Sequence, residues 1–296
     1  MEKLTIKDIP LEEYTITPGS ACQGCGPALA ARLVFKALGD KVIRHEVPSC
    51  PDSVTRTPHT FSVFESAGAA LTGISRALKI LGRDDVLAVG FIGDGGTYDI
   101  GFQALSAAAE RNEDILWFCK NNEAYMNTGI QRSSATPLYA WTTTTQVGPR
   151  GRGKEAPRKN LPFIVAAHHV PYVATASIAF PTDLIGKVLY AKKLRGFRFI
   201  DILCPCPTGW RFDPSRTIEV ARLAVQTGMW ALYEIIDGRE FRLTYKPKKL
   251  KPVEEYLRIQ GRFRHLTDRE IEEIQRMVDE NWERLLKLDE MGEFPL

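Results

Sequence analysis

Residues 86–96 read Val-Leu-Ala-Val-Gly-Phe-Ile-Gly-Asp-Gly-Gly, and residues 115–122 read Ile-Leu-Trp-Phe-Cys-Lys-Asn-Asn. Each is a short apolar run that stops abruptly at glycine or at polar side chains. Runs this short, with β-branched and aromatic members, make strands covered on both faces, and such strands belong to parallel sheets. Working outward, the pattern alternates. Helices are expected at Pro27–Leu38, Glu65–Leu81, Tyr98–Arg111, Asp183–Leu194 and Ser215–Thr227, with strands at Val42–Val47, Tyr172–Ala176 and Phe199–Leu203. The succession predicts an α/β fold: a mostly parallel sheet with helices on both faces.

Two regions interrupt the alternation. Residues 121–160 form a long stretch rich in Thr, Gly, Pro and Arg, and irregular segments of that length are often functional. Beyond Asp237-Gly238 the composition turns polar and charged, closing with an amphipathic helix at Asp268–Leu288. The expected organisation is one α/β domain over residues 1–238 carrying the chemistry, and a C-terminal extension over 239–296 packing on the core or on a partner.

The composition narrows the class. A chain of 296 residues with 44% hydrophobic and 25% charged residues can bury a full core. A net charge of +3 is too small to argue for nucleic acid, and the basic run Tyr245–Lys251 reads as a solvated tail. No window holds the roughly 18 apolar residues of a membrane span. The charged N-terminus, MEKLTIKDIPLEEY, lacks the apolar region of a secretory signal. A cytoplasmic protein is therefore expected, without membrane or nucleic-acid partners. Its six cysteines then call for metal binding, redox chemistry or burial rather than disulfides.

The run 86–92 leads straight into Gly93-Asp94-Gly95-Gly96, which opens a helix. Ligands of open parallel sheets sit at the carboxyl ends of strands, and glycines plus a helix N-terminus there accommodate phosphate. An aspartate would oppose an anion unless a hard cation lay between them, as Mg²⁺ does when it takes carboxylate and phosphate oxygens together. The adjacent strand ends at Asn121-Asn122 on the same edge. Asn122 can supply an amide oxygen to that ion, and the carbonyl of Ala124 a third ligand. A tight turn and a capping loop are the bland alternative for either motif alone; their combination points to a metal-bound diphosphate cofactor.

Cys22-Gln-Gly-Cys25 is a CxxC motif just before a helix. Cys50 follows the strand at 42–47, and Cys204-Pro205-Cys206-Pro207 follows the one at 199–203. Four thiolates on one sheet edge can hold a [4Fe–4S] cluster or a structural zinc. Cys119 reads as a buried small hydrophobe. Cys204 and Cys206 share a direction along the strand; Cys206 lies further into the loop.

The stretch GDGGTYDIGFQALSAAAERNEDILWFCKNNEAYMNTGIQRSSATP resembles the corresponding segment of pyruvate and related 2-oxoacid:ferredoxin oxidoreductases, with a likeness running from roughly Cys22 to Trp210. It implies the thiamine-diphosphate-binding β subunit. The resemblance assigns Gly93, Asp94, Gly95, Gly96, Asn122, Ala124 and Asn127 to the cofactor and its Mg²⁺, with Asn127 beside the thiazolium and the reacting substrate as the catalytic residue. It also assigns Cys22, Cys25, Cys50 and Cys206 to one [4Fe–4S] cluster. In such enzymes thiamine diphosphate attacks the 2-oxo carbon and accepts the electrons left by loss of CO₂, which a nearby cluster removes.

The implied reaction is CoA-dependent oxidative decarboxylation of a 2-oxoacid, pyruvate first, with electrons passed to ferredoxin. Branched-chain 2-oxoacids, 2-oxoglutarate and oxalate stay open, because EVPSCPDSVTR around Cys50 departs from the alanine-threonine-glycine-cysteine context of many pyruvate enzymes. No glutamate here suits the aminopyrimidine, so the resemblance places it on a partner α subunit. Further subunits would carry additional iron–sulfur clusters. Two rivals are a non-redox thiamine-diphosphate decarboxylase or synthase subunit and a non-catalytic iron–sulfur or zinc subunit. His168-His169 and Glu65 read as capping, salt-bridging or surface residues. Arg132 and the loop Arg150–Lys154 read either as solvated cations or as contacts for an acidic carrier.

Overall fold

The computed structural model of the chain describes residues 4–16, 19–50, 54–149 and 151–295. Among these, eight strands form one sheet: β1 (Val42–Glu46), β2 (His59–Phe61), β3 (Leu87–Gly93), β4 (Ile115–Asn121), β5 (Tyr172–Ser177), β6 (Phe197–Leu203), β7 (Tyr233–Ile236) and β8 (Glu240–Leu243). Their spatial order is β8-β7-β5-β6-β4-β3-β1-β2. Every pairing from β5 to β2 is parallel, and β7 and β8 add an antiparallel end. The α/β fold read from the sequence is the one observed.

Side chains alternate across the two central strands. Val89, Phe91, Leu116 and Phe118 face the helices Gly26–Leu38 and Pro181–Lys193. Ala88, Ile92, Ile115 and Trp117 face the helices Ala67–Ile80, Phe102–Glu110 and Leu161–Ala166. Both sets are buried, so neither face is left to solvent. Each large apolar side chain sequestered this way contributes about 1.5–3 kcal/mol. Cys119 lies in the same apolar layer, as its sequence context implied. Small residues bring helices together: a Cβ on Gly68 would stand 2.2 Å from the Ala104 carbonyl oxygen, so only glycine permits that contact.

Three features depart from the sequence reading. The helix expected from Tyr98 begins at Phe102, because a wide helical turn over Gly95–Asp99 precedes it. The edge strand β2 and the β7–β8 hairpin lie in segments too short and too charged to show a period. The composition change at Asp237-Gly238 falls at the hairpin's turn, where both residues have positive φ. No described helix is long and apolar enough to cross a membrane.

The segment after the hairpin is bound into the core. Leu285, Leu288 and Phe294 join the cluster around Val165, and the Phe163 and Phe294 rings meet edge-on at 4.9 Å. Tyr256, Phe263 and Ile274 pack with Trp210 and Trp230. Deleting residues 239–296 would expose this surface. The truncated chain is expected to aggregate on size-exclusion chromatography; a soluble, cooperatively unfolding 1–238 fragment would contradict the account.

Candidate active site

Register brings the two motifs together. Gly93 of β3 pairs with Lys120 of β4, and Asn121 of β4 with Leu203 of β6. Asp94, Asn122 and Cys204 therefore leave three neighbouring strands on one edge. The segment leaving β1 brings Cys50 to the same place. One cavity is lined by Cys50, Gly93, Asp94, Gly95, Gly96, Asn122, Ala124 and Asn127. Asn127 is exposed at its rim, whereas Asp94, Asn122 and Ala124 are buried.

At the floor, the side-chain oxygen of Asn122 stands 3.0 Å from Asp94 Oδ1 and 3.0 Å from the Ala124 carbonyl oxygen. Its amide nitrogen points the other way, 3.8 Å from Cys50 Sγ. Turning the amide over would let nitrogen donate to both oxygens. With nitrogen toward them the amide satisfies both oxygens; with oxygen toward them the group offers a cation a third oxygen, so the turn accommodates either state. Mg²⁺ fits: an octahedron with ligands at 2.0–2.1 Å has edges of about 3.0 Å. The second Asp94 oxygen accepts a hydrogen bond from Ser133 Oγ at 2.6 Å. Burial pushes the Asp94 carboxyl well above the usual range, with the Ser133 bond opposing it; a divalent cation would hold it ionised. The sequence gives Gly95 a phosphate-cradling role, yet a Cβ there would lie 2.6 Å from the Tyr125 ring. This glycine also seats an aromatic ring.

A buried polar network fixes the Asn-Asn turn. Tyr98 Oη donates to Asp201 on β6. Asn121 Nδ2 donates to Asp201 Oδ1 at 3.1 Å, and Asn121 Oδ1 accepts from the Glu123 amide at 3.1 Å. Glu123, at φ 64° and fully buried, is ion-paired to Arg158 and, at 2.6 Å, to Arg262 of the C-terminal segment. Trp210 Nε1 donates to the Asn122 carbonyl at 2.8 Å, and Arg262 stacks 3.7 Å from the Trp210 ring centroid. The loop is further tied down where the Ser134 amide donates to Asp99 Oδ2 at 2.9 Å and Thr136 Oγ1 to the Glu123 carbonyl at 2.6 Å. Sequence reasoning quoted Tyr98, Asp99, Ser133 and Ser134 within the motif without giving them roles. Glu123 lay in the same motif, also without a role, and Asp201 and Arg262 were missed altogether.

All six cysteines are free of disulfides. Cys204 is wholly buried, and its amide donates to the Asn121 carbonyl at 2.8 Å. Cys206 is half-buried, and its Sγ accepts from the Gly209 amide at 3.3 Å. Burial and then the neighbouring Cys206 push the Cys50 thiol up to about 12, with Cys25 and Asp94 acting in the same sense. Burial likewise raises Cys206, and Cys22 adds to it. Cys25, Cys206 and Asp94 thus act on Cys50, and Cys22 acts on Cys206. Among the described residues no three His, Cys, Asp or Glu close on a single metal ion. Four thiolates are the ligand set that a [4Fe–4S] cluster takes.

Other candidates fall outside this site. His168 bonds Ser106 Oγ at 2.8 Å and the Ile164 carbonyl at 3.0 Å near a helix end. Glu65 and Arg132 are exposed, and Arg150 lies outside the described residues. Lys154 departs from the surface role expected of its loop. It is buried and donates to the carbonyls of Ser134, Thr136 and Pro157, which fastens the loop internally. Lys120, overlooked in the sequence, does line the cavity and is buried against Glu46 at 3.2 Å and the Cys50 carbonyl at 3.3 Å.

Residues 42–202 match the family of thiamine pyrophosphate enzymes, C-terminal TPP binding domain. The chain is 50% identical over 279 residues to pyruvate synthase subunit PorB of Methanothermobacter thermautotrophicus, covering 92% of this chain and 96% of the relative. It is 46% identical over 298 residues to ketoisovalerate oxidoreductase subunit VorB of Pyrococcus furiosus, covering 96% of each. The chain belongs to the thiamine-diphosphate-binding β subunits of the 2-oxoacid:ferredoxin oxidoreductases.

A chain of the 2-oxoglutarate:ferredoxin oxidoreductase from Magnetococcus marinus shares the fold, with a TM-score of 0.56 at 23% identity over 75% of this chain and 81% of that one. As a β subunit, the protein is one part of a hetero-oligomer, and its matched span contains Cys50, Asp94, Asn122 and Asn127 but neither Cys22, Cys25 nor Cys206.

Burial pushes the Asp201 carboxyl of this β subunit from 3.8 up to about 6, against the Tyr98 and Asn121 hydrogen bonds. The folded chain then holds that proton more tightly than the unfolded chain. Asp201 contributes fully below its ordinary range, and that contribution is lost as pH rises through 6. Relative to Asp201→Asn, the unfolding free energy in urea is expected to fall by on the order of 3 kcal/mol between pH 4 and 7. A pH-independent difference between the two proteins would contradict this.

Proposed function

We propose that this β subunit catalyses, with a partner α subunit, the CoA-dependent oxidative decarboxylation of a 2-oxoacid, passing electrons through one [4Fe–4S] cluster to ferredoxin. Pyruvate is the first substrate to expect, yielding acetyl-CoA and CO₂. One observation carries the reading: Asp94, Asn122, Ala124 and Cys50 line a single cavity. A carbon-centred electron source and an inorganic acceptor would be neighbours there.

Asp94, Asn122 and Ala124 would hold Mg²⁺, and Gly93, Gly95 and Gly96 line the approach for the diphosphate. Asn127, at the rim, would face the thiazolium and the substrate carbonyl. Cys22, Cys25, Cys50 and Cys206 would ligate the cluster, while Cys204 stays in the core. Bound thiamine diphosphate supplies a nucleophilic carbon and an electron sink for decarboxylation. The chain's own part is to position that cofactor, exclude water around Asp94 and hold the thiolates nearby. The aminopyrimidine glutamate would come from the α subunit, and onward clusters from a further subunit or the carrier. Residues 1–238 would form the cofactor domain, with 239–296 bracing it through Arg262, and the assembly would work in the cytoplasm.

The similarity to subunits named for pyruvate and for ketoisovalerate keeps the substrate choice between a small and a branched 2-oxoacid. Assay of the reconstituted complex on a panel of 2-oxoacids, with methyl viologen as acceptor, is expected to favour pyruvate; equal or better turnover of branched substrates would reassign it. Asp94→Ala should abolish thiamine diphosphate binding while leaving the iron content intact. Cys206→Ser should remove the broad cluster absorption near ~400 nm, an order-of-magnitude expectation for cysteine-bound clusters, and Cys204→Ser should retain it. Zinc in place of iron, or a cluster surviving Cys206→Ser, would overturn the assignment.

A further inference from the structure

Asn122 stands between the two groups of ligands. One end of its carboxamide is 3.0 Å from Asp94 Oδ1 and from the Ala124 carbonyl, and the other end is 3.8 Å from Cys50 Sγ. A carboxamide is a donor at one end and an acceptor at the other, so the two ends cannot be chosen independently. With nitrogen toward Asp94 and Ala124, the amide satisfies both oxygens and turns its own oxygen toward sulfur. With oxygen toward them, three acceptors converge and the N–H group points at Cys50.

What decides between the orientations is the charge at the meeting point of the oxygens. A divalent cation there rewards the second orientation, because it binds all three oxygens at once. Without a cation the first is favoured, since it replaces acceptor–acceptor repulsion by two hydrogen bonds. The backbone of the turn does not have to move. Trp210 Nε1 holds the Asn122 carbonyl at 2.8 Å, and Asn121 is fixed by Asp201, so the switch is confined to one side-chain torsion.

We propose that Asn122 couples the two cofactor sites: cation binding orients its amide so that the N–H group donates to the Cys50 thiolate. The inference rests on the metal and cluster assignments above and extends them. Donors to cluster sulfur stabilise the reduced, more negative state and so raise the reduction potential. The cluster is then a better electron acceptor when the metal and its diphosphate are in place than when the site is empty. Asn122 is a positioning residue in this respect, acting on the cluster through Cys50.

The test uses the complete enzyme with its partner subunits, the β subunit labelled with ¹⁵N-asparagine, and pulsed EPR of the reduced cluster. The wild-type enzyme with Mg²⁺ and thiamine diphosphate should show a ¹⁵N coupling. That coupling should be lost in Asn122→Asp, whose carboxylate still suits the cation but carries no N–H. It should also be lost in unmutated enzyme stripped of Mg²⁺ by chelation, which covers the case of a variant that does not assemble. Thiamine diphosphate binding and iron content are measured in parallel. If both cofactors bind and the coupling is absent, or survives metal removal, the inference fails and the functional reading stands. If no cluster forms, or if thiamine diphosphate binds without Mg²⁺, that reading fails and takes the inference with it.

Discussion

The Asp94 carboxylate, the Asn122 amide and the Ala124 carbonyl converge at one buried point, and that convergence organises the rest of the molecule. Each oxygen comes from a different local conformation: a residue just past a strand end, a side chain on a turn, and a backbone carbonyl two residues later. A parallel sheet delivers the first two to one edge, because the register Gly93–Lys120 fixes where both strands stop. The third requires the chain to turn sharply after Asn122, which explains the positive φ at Glu123.

Such a turn is costly, and a dense set of buried polar contacts offsets the cost. Asp201 gathers Tyr98 and Asn121, while Glu123 gathers Arg158 and Arg262. Buried ion pairs of this kind add little net stability over an apolar core of equal volume, but breaking one by removing a partner is strongly destabilising. Their value lies in fixing one geometry. The C-terminal segment takes part through Arg262, which helps to shape a loop more than a hundred positions earlier. Lys154 does the same from within the loop by donating to the carbonyls of Ser134, Thr136 and Pro157.

The sequence was most legible where periodicity and chemistry coincided. The apolar runs ending in Gly93 and Asn121 announced buried strands, and the two strands do end on one edge of the sheet. Burial of Cys119 followed from its neighbours alone. The β7–β8 hairpin was not legible, because Glu240–Leu243 alternates over too few residues to stand out from a charged segment. Asp201 was hidden for a different reason: a carboxylate inside a Phe-Ile-Asp-Ile-Leu strand gives no local sign of the tyrosine and asparagine that satisfy it from other elements. Lys154 read as a surface cation, solvated or facing a carrier, and Arg262 gave no signal, because sequence carries no record of burial. Polar residues that serve a site through distant partners are the ones a linear reading loses.

The central claim is adjacency of an oxygen-bound metal and a thiolate-bound cluster on one sheet edge. Anomalous diffraction from crystals of the anaerobically purified complex, recorded at the iron and zinc absorption edges, tests it directly. The account predicts a compact iron peak enclosed by Cys22, Cys25, Cys50 and Cys206, on the Asp94 side of the sheet. A zinc signal among those sulfurs, or iron located away from Cys50 and Asn122, would contradict it.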